Sequence, residues 1–313
     1  MSHAPCPYTM IFYAENKNID RTRWDELISQ SPNGLIYSYS WFLDVVCESW
    51  DALVEDEYRA VLPLPRRKKY GIEYIFQPFY TNQFGVISRE DVSPEKVNSF
   101  LQGIPKRFKY VDIMLNFQNR TNTPDYKITE RKAQFLNLNS SYDEIRKKYD
   151  SNLKRNLQKA EKNNLTVKEG VPAETVTEYF RNAKGNELGN FSEEDYKTLT
   201  KILITASGKG NAFTLGAYNS NNDLLAAAGF LKDNKRIIFL KGGSTAEGRE
   251  TGAMHLIMDA VIRQEQHKNL LFDFGGSIVE TVARFYKSFG AEDYLYLHVK
   301  RNLLPLYLRW LKK

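Results

Sequence analysis

The run Arg236-Ile237-Ile238-Phe239-Leu240-Lys241, the stretch from Thr251 to Gln266, the run Leu270-Leu271-Phe272-Asp273-Phe274 and the stretch from Ile278 to Phe289 decide the fold. The two short apolar runs read as strands, and the longer stretches carry helical spacing. Strand, helix, strand, helix in that order predicts a crossover, parallel pairing of the two strands and a crevice beyond their ends. Any chemistry belongs at that crevice. Gly275-Gly276-Ser277 follow the second strand, and Ser277 with Glu280 has the spacing of a capping box. Glycines there let a ligand or a neighbouring strand approach the backbone, and a helix N-terminus attracts anions. The same residues also suit an ordinary strand-to-helix turn.

Working outward, further strands are predicted at Leu165 to Glu169, Ala212 to Tyr218, Leu224 to Leu231 and Tyr294 to Val299. Upstream, Ser141 and Glu144 form a capping box that opens a helix over 141–163. At about 100° per residue, Ile145, Tyr149, Leu153, Leu157 and Ala160 share one stripe. Lys148, Arg155, Lys159 and Lys162 fall on another about 60° wide, which is either a solvated face or an anion groove. The first half alternates short helices, at Arg21 to Ser29, Trp41 to Ser49 and near Pro94 to Gly103, with strands at Thr9 to Tyr13, Ala52 to Val54, Tyr58 to Leu62, Ile72 to Phe76, Tyr110 to Leu115 and Ala133 to Leu138. Within it, Arg66, Arg67, Lys68 and Lys69 stand between Pro65 and Tyr70-Gly71. This is a basic hairpin tip that either blunts a sheet edge or contacts phosphates.

The chain holds 313 residues and 36.3 kDa, enough for about two domains of roughly 100–200 residues. The expected division is 1–140 and 141–313, with the basic helix at the junction and a final helix over 303–313 packing back on the first domain. A composition with 42% hydrophobic and 26% charged residues excludes disordered, collagen-like and coiled-coil classes. The net charge of +6 is too small for a histone-like protein and compatible with a phosphate-bearing partner. Apolar runs such as Leu224 to Leu231 fall far short of the roughly 18 residues of a membrane span. The start, with no basic and apolar leader, makes a cytoplasmic protein the expectation. Cys6 and Cys47 provide neither a disulfide framework nor a zinc ligand set. His255 and Asp259 are i, i+4 neighbours that suit a surface pair better than a metal site, and no metal is expected.

Two segments in the decisive region resemble the GNAT-type N-acetyltransferases. Arg249-Glu250-Thr251-Gly252-Ala253-Met254 matches their pyrophosphate loop at Arg249 and Gly252, with Met254 at the last small position. In Phe285-Tyr286-Lys287-Ser288-Phe289-Gly290 a tyrosine stands four residues before a glycine, where the resemblance implies a proton donor to the leaving group. Tyr286 reads equally as an aromatic core residue.

The larger resemblance is to the FemABX-like acyltransferases. It is carried by Ser31-Pro32-Asn33-Gly34-Leu35-Ile36-Tyr37-Ser38-Tyr39-Ser40-Trp41, by the segment from Tyr149 to Lys162, and by Phe272 to Ser277 with Phe285 to Gly290. It implies an α/β (α+β) chain of two tandem GNAT-like domains, each a mixed, mostly antiparallel twisted sheet flanked by helices. It implies transfer of an acyl or aminoacyl group from an activated donor to an amine, on a cell-wall precursor in the bridge-forming members. The family's Phe-Lys pair is replaced by Phe285-Tyr286, with Lys287 one place later.

The expected catalytic residues are therefore Tyr286 as general acid or orienting group, Asp273 to position the amine or a water, and Lys287. Donor or acceptor contacts are expected from Lys154, Arg155, Lys159, Arg66, Arg67, Lys68, Lys69, Lys241, Arg249, Gly252, Gly275, Gly276 and Phe285. No tightly bound cofactor is expected. The co-substrate is acyl-CoA or aminoacyl-tRNA, and the acceptor a muropeptide or small-molecule amine. Two other classes fit the same residues: an acyl-CoA dependent N-acetyltransferase acting on a small or sugar amine, and a non-catalytic RNA-binding or scaffold protein.

Overall fold

The structure, a computed structural model, describes residues 10–185, 189, 191–275, 280–305 and 307–309. It divides into two compact units, one made of the chain up to Arg131 together with Leu295 onward, the other of Lys132–Tyr294. The division expected at residue 140 differs from this at both ends, because the chain changes unit inside two long strands.

The first unit opens with β1 (Ile11–Ala14), α1 (Arg21–Gln30), α2 (Ser40–Val46), β2 (Trp50–Glu55), β3 (Ala60–Lys69), β4 (Ile72–Ile75), β5 (Ile87–Ser88), α3 (Pro94–Gly103) and β6 (Phe108–Met114). Asp20 starts α1 by accepting from the N–H groups of Thr22 and Arg23, and Ser93 with Pro94 starts α3. The strands run β1-β2-β3-β4-β6, with β5 beside β3. Leu53, Leu62, Leu64, Phe100, Phe108 and Val111 form the core. The basic tip is a hairpin, as expected: Arg66 pairs with Ile75 and Lys69 with Ile72. Tyr70 and Gly71 both take positive φ, 51° and 77°, the signature of a two-residue turn of type I′.

Strand β7 (Lys127–Asn137) leads into the second unit, followed by α4 (Tyr142–Lys147), α5 (Ser151–Lys162), β8 (Thr166–Glu169), α6 (Ala173–Phe180), α7 (Glu193–Gly208), β9 (Ala212–Tyr218), β10 (Leu224–Lys232), β11 (Arg236–Ser244), α8 (Ala246–Thr251), α9 (Ala253–Glu265), β12 (Leu271–Asp273) and α10 (Glu280–Lys287). A π-helical turn, Arg181–Gly185, continues α6. The single helix expected over 141–163 is two helices. Asp150 accepts from Leu153 N–H at 2.7 Å and starts the second one, while the apolar stripe runs on through both. The helix expected over 251–266 is also split, by Gly252 at φ +80°. A Cβ there would lie 2.4 Å from the carbonyl oxygen of Asn156, so glycine lets α9 begin against α5.

The sheet of this unit runs β7-β12-β11-β10-β9-β8. All neighbours are antiparallel except β11 and β12, whose parallel pairing follows from the α8–α9 crossover. Phe230, Ile237, Phe272, Phe274, Ile257 and Phe289 centre its core. Strand β13 (Glu292–Asn302) then returns to the first unit and pairs with β6 from His298 to Asn302. Of the helix expected over 303–313, residues 307–309 form a 3-10 turn, and 306 and 310–313 lie outside the described residues.

Candidate functional site

The parallel ladder ends at Ile238 opposite Asp273, whereas β11 runs on to Ser244. From Phe239 onward β11 therefore has β10 on one side and, among the described residues, no strand on the other. Tyr286 lies where the two strands part. Its ring stacks on Phe274 at 5.1 Å and meets Phe239 edge-on at 6.4 Å, so the first residue beyond each strand's paired stretch touches it. It is buried, and burial together with the nearby Asp273 charge pushes its hydroxyl well above the ordinary phenol range. A phenol so placed stays protonated, with its O–H available to donate.

Asp273 is also buried, but its oxygens are occupied. Arg236 Nη1 lies 3.2 Å from Oδ2, Tyr294 donates at 3.1 Å, and Gly275 N–H donates at 2.8 Å. Burial raises its carboxyl despite these partners. Sequence reading missed Arg236 and Tyr294. The available signal for the first was an arginine directly before the apolar run Ile237-Ile238-Phe239-Leu240.

The neighbours of Tyr286 on α10 face elsewhere. Phe285 meets the ring of His255 at 4.9 Å, and Lys287 bonds Asp293 at 2.7 Å. With Asp150, Asn152, Thr281, Arg284 and Ser288 they line an open cleft of about 510 Å³. His255 is held neutral there, its pKa lowered to about 4 by burial, with Asp150 pulling up and Lys159 pulling down. The expected His255–Asp259 surface pair does not form. Asp259 is buried and accepts from Tyr142 and Tyr149 instead, each at 2.9 Å. Among the described residues no three His, Cys, Asp or Glu side chains converge on a metal position.

The expected donor and acceptor contacts are dispersed. Lys154, Arg155 and Lys159 are exposed along α5, and of these Lys159 bears on the His255 cleft. In the first unit Arg66 pairs with the buried Asp51, Arg67 lies over Phe76 at 4.3 Å, and Lys68 and Lys69 are exposed. Arg249 folds back on the Ser244 carbonyl at 2.9 Å, and Gly252 serves the packing of α9 on α5. Lys241 is half-buried on β11 beside Phe180. Gly275 turns the chain after β12 at φ +73°, whereas Gly276 and Ser277, with the second capping box, lie outside the described residues, as does Cys6. Cys47 is a buried thiol pushed up to about 12 by burial. His298 pairs with Asp112 at 2.5 Å.

Among the described residues no helix is long and apolar enough to cross a membrane. No protein-family profile and no curated protein matches the sequence. Solved structures do match. FemX superposes with a TM-score of 0.67 at 14% identity, covering 94% of this chain and 98% of its own. L-PGS from Bacillus licheniformis gives 0.54 at 12% identity, covering 93% and 95%. A tandem GNAT protein from the clavulanic acid biosynthesis pathway gives 0.51 at 11% identity, covering 95% and 99%. Over nearly its whole length the chain therefore has the mixed α/β fold, with mostly antiparallel sheets flanked by helices, that FemX shares with tandem GNAT proteins.

Proposed function

We propose that the protein is an acyltransferase that moves an acyl or aminoacyl group from an activated donor to an amine, with Tyr286 as the proton donor or orienting group. The observation that carries this reading is the position of Tyr286 against Phe239 and Phe274, where β11 and β12 separate. A carbonyl held there meets a protonated phenol from one side and β11 backbone that β12 no longer pairs from the other. The attacking nitrogen forms the N–C bond as the bond from carbonyl carbon to leaving group breaks. The leaving atom takes the Tyr286 proton, and the proton lost by the nitrogen restores the phenol.

The raised Tyr286 hydroxyl suits one donor better than the other. A thiolate, with a pKa of about 8.5, leaves without help from so weak an acid. An alkoxide leaving from an ester is far more basic and gains from it. An aminoacyl ester such as charged tRNA is accordingly favoured over acyl-CoA, and the use of Gly252 in packing α9 against α5 points the same way. The FemABX resemblance supports a muropeptide amine as acceptor and the cytoplasm as the compartment.

The test is mass spectrometry of products after incubation with muropeptide and other amines, offering charged tRNA and acyl-CoA in parallel. Product from tRNA is expected, with a fall of about 10² or more in turnover for Tyr286→Phe at unchanged stability. Unchanged turnover removes Tyr286 from the mechanism, and no product from either donor rejects the activity.

A further inference from the structure

Lys241 stands just beyond the point where β12 leaves β11, at an irregularity in the strand. Phe239 pairs with Phe230 and Lys241 with Gly229, so Leu240 is an extra residue. The strand turns over at this bulge. Phe239 packs with Tyr286 in the core, whereas Lys241 faces α6, its Nζ 5.4 Å from the centroid of Phe180. Gly243, two residues on, presses against the same element, where a Cβ would come 2.0 Å from the Tyr179 carbonyl oxygen.

Lys241 is half-buried, and among the described residues its amine has neither a hydrogen bond nor an ion pair. Lys232 on β10, also half-buried, is by contrast gripped by both oxygens of Glu265 at 2.8 Å. Glu174 and Glu178 of α6 and Arg181 of the π turn line an open groove of about 520 Å³ between α6 and α7. Among the described residues no carboxylate pairs with Lys241, and burial lowers the pKa of its amine. A partly buried ammonium resting on an aromatic face without a counter-charge is incompletely compensated, and a ligand's negative charge would complete the compensation. The side chain still reaches solvent, so such a ligand can reach it.

We propose that Lys241 anchors an anionic oxygen group, a carboxylate or a phosphate, on one of the substrates. This deepens the acyltransferase reading by assigning a charged group to the substrate that lies along β11. It is measured by binding alone, so its failure and the failure of that reading are separable.

The experiment is competitive amine labelling of the full chain with an acylating reagent, read peptide by peptide by mass spectrometry, with exposed Lys68 as internal reference. Acetate, inorganic phosphate and chloride are compared at equal ionic strength. Lys241 is expected to label faster than Lys68, by up to about tenfold for each unit its pKa lies lower, and to be protected by acetate or phosphate but not by chloride. Protection by acetate alone assigns a carboxylate, and by phosphate alone a phosphate. Protection by neither, or equally by chloride, overturns the proposal. Lys241→Met supplies a second readout: relief of the buried amine should raise Tm by about 2–4 °C, while a lowered Tm would show a structural role and also overturn it.

Discussion

Asp273 in the second unit and Asp112 in the first are built from the same parts. Each carboxylate accepts from a tyrosine, Tyr294 or Tyr110, and each faces basic side chains, Arg236 in one case and His298 with Lys300 in the other. Their electrostatics run in opposite directions. The Asp273 and Arg236 side chains are 3% and 7% exposed, and burial raises the carboxyl against every partner. Asp112 is 27% exposed. There burial also pulls upward, but the hydrogen bonds from His298 and Tyr110 and the nearby charges outweigh it and hold the carboxyl at about 2. Partners of equal number thus give a sealed strut in one place and a solvent-touching, acid-sensitive cluster in the other. Desolvation decides which.

The largest effect that could break this comparison is at the strut. Asp273→Asn removes the buried charge that Arg236 faces at 3.2 Å and should cost about 3–5 kcal/mol in urea unfolding. Replacing both residues by apolar ones of similar volume should recover most of that loss. If the single substitution is tolerated, water reaches the pair and the contrast with Asp112 disappears.

The strut also shows what sequence can and cannot reveal. The order β11, helix, β12, α10 was legible because each element carries its own period, and the parallel pairing followed from the crossover. Tyr286 was legible as a candidate through its spacing from Gly290. Its stacking on Phe274 and Phe239 was not, because those contacts depend on where a ladder stops. The bulge at Leu240 is hidden in a run of apolar residues that reads straight through it. The break at Asp150 had a signal, an Asp-Ser cap, that the continuous apolar stripe obscured. His255 and Asp259 have the right spacing to pair, but the spacing says nothing of Tyr142 and Tyr149, which arrive from more than a hundred residues away and take Asp259.

A pH series sharpens the comparison next. The folded-state pKa of Asp112 lies below its unfolded value of about 3.8, so the unfolded chain binds more protons between about pH 4 and 2. Its contribution is complete above pH 4 and is lost as pH falls towards 2, roughly 2 kcal/mol at about 1.4 kcal/mol per unit. For Asp273 the sign reverses. A raised folded pKa means stability is lost as pH rises through it, so acidification towards pH 4 relieves this site. Asp112→Asn should flatten the loss below pH 4 in chemical denaturation and leave the profile above it unchanged. An unaltered acid limb would show that Asp112 is no better held in the folded chain than in the unfolded one.

The smallest effect separates the partners of Asp112 from one another. Tyr110 donates to Oδ2 at 2.8 Å, while His298 Nε2 meets Oδ1 at 2.5 Å. The hydrogen bond lowers the carboxyl and raises the Tyr110 phenol, whose own burial raises it further. Tyr110→Phe should therefore cost about 1 kcal/mol and move the Asp112 midpoint upward in a carboxyl-carbon NMR titration, leaving Asp273 unchanged. If the midpoint stays in place, His298 and Lys300 hold Asp112 down without the tyrosine. The parallel with Asp273, whose oxygens also take hydrogen bonds from Tyr294 and Gly275, then reduces to charge against burial alone.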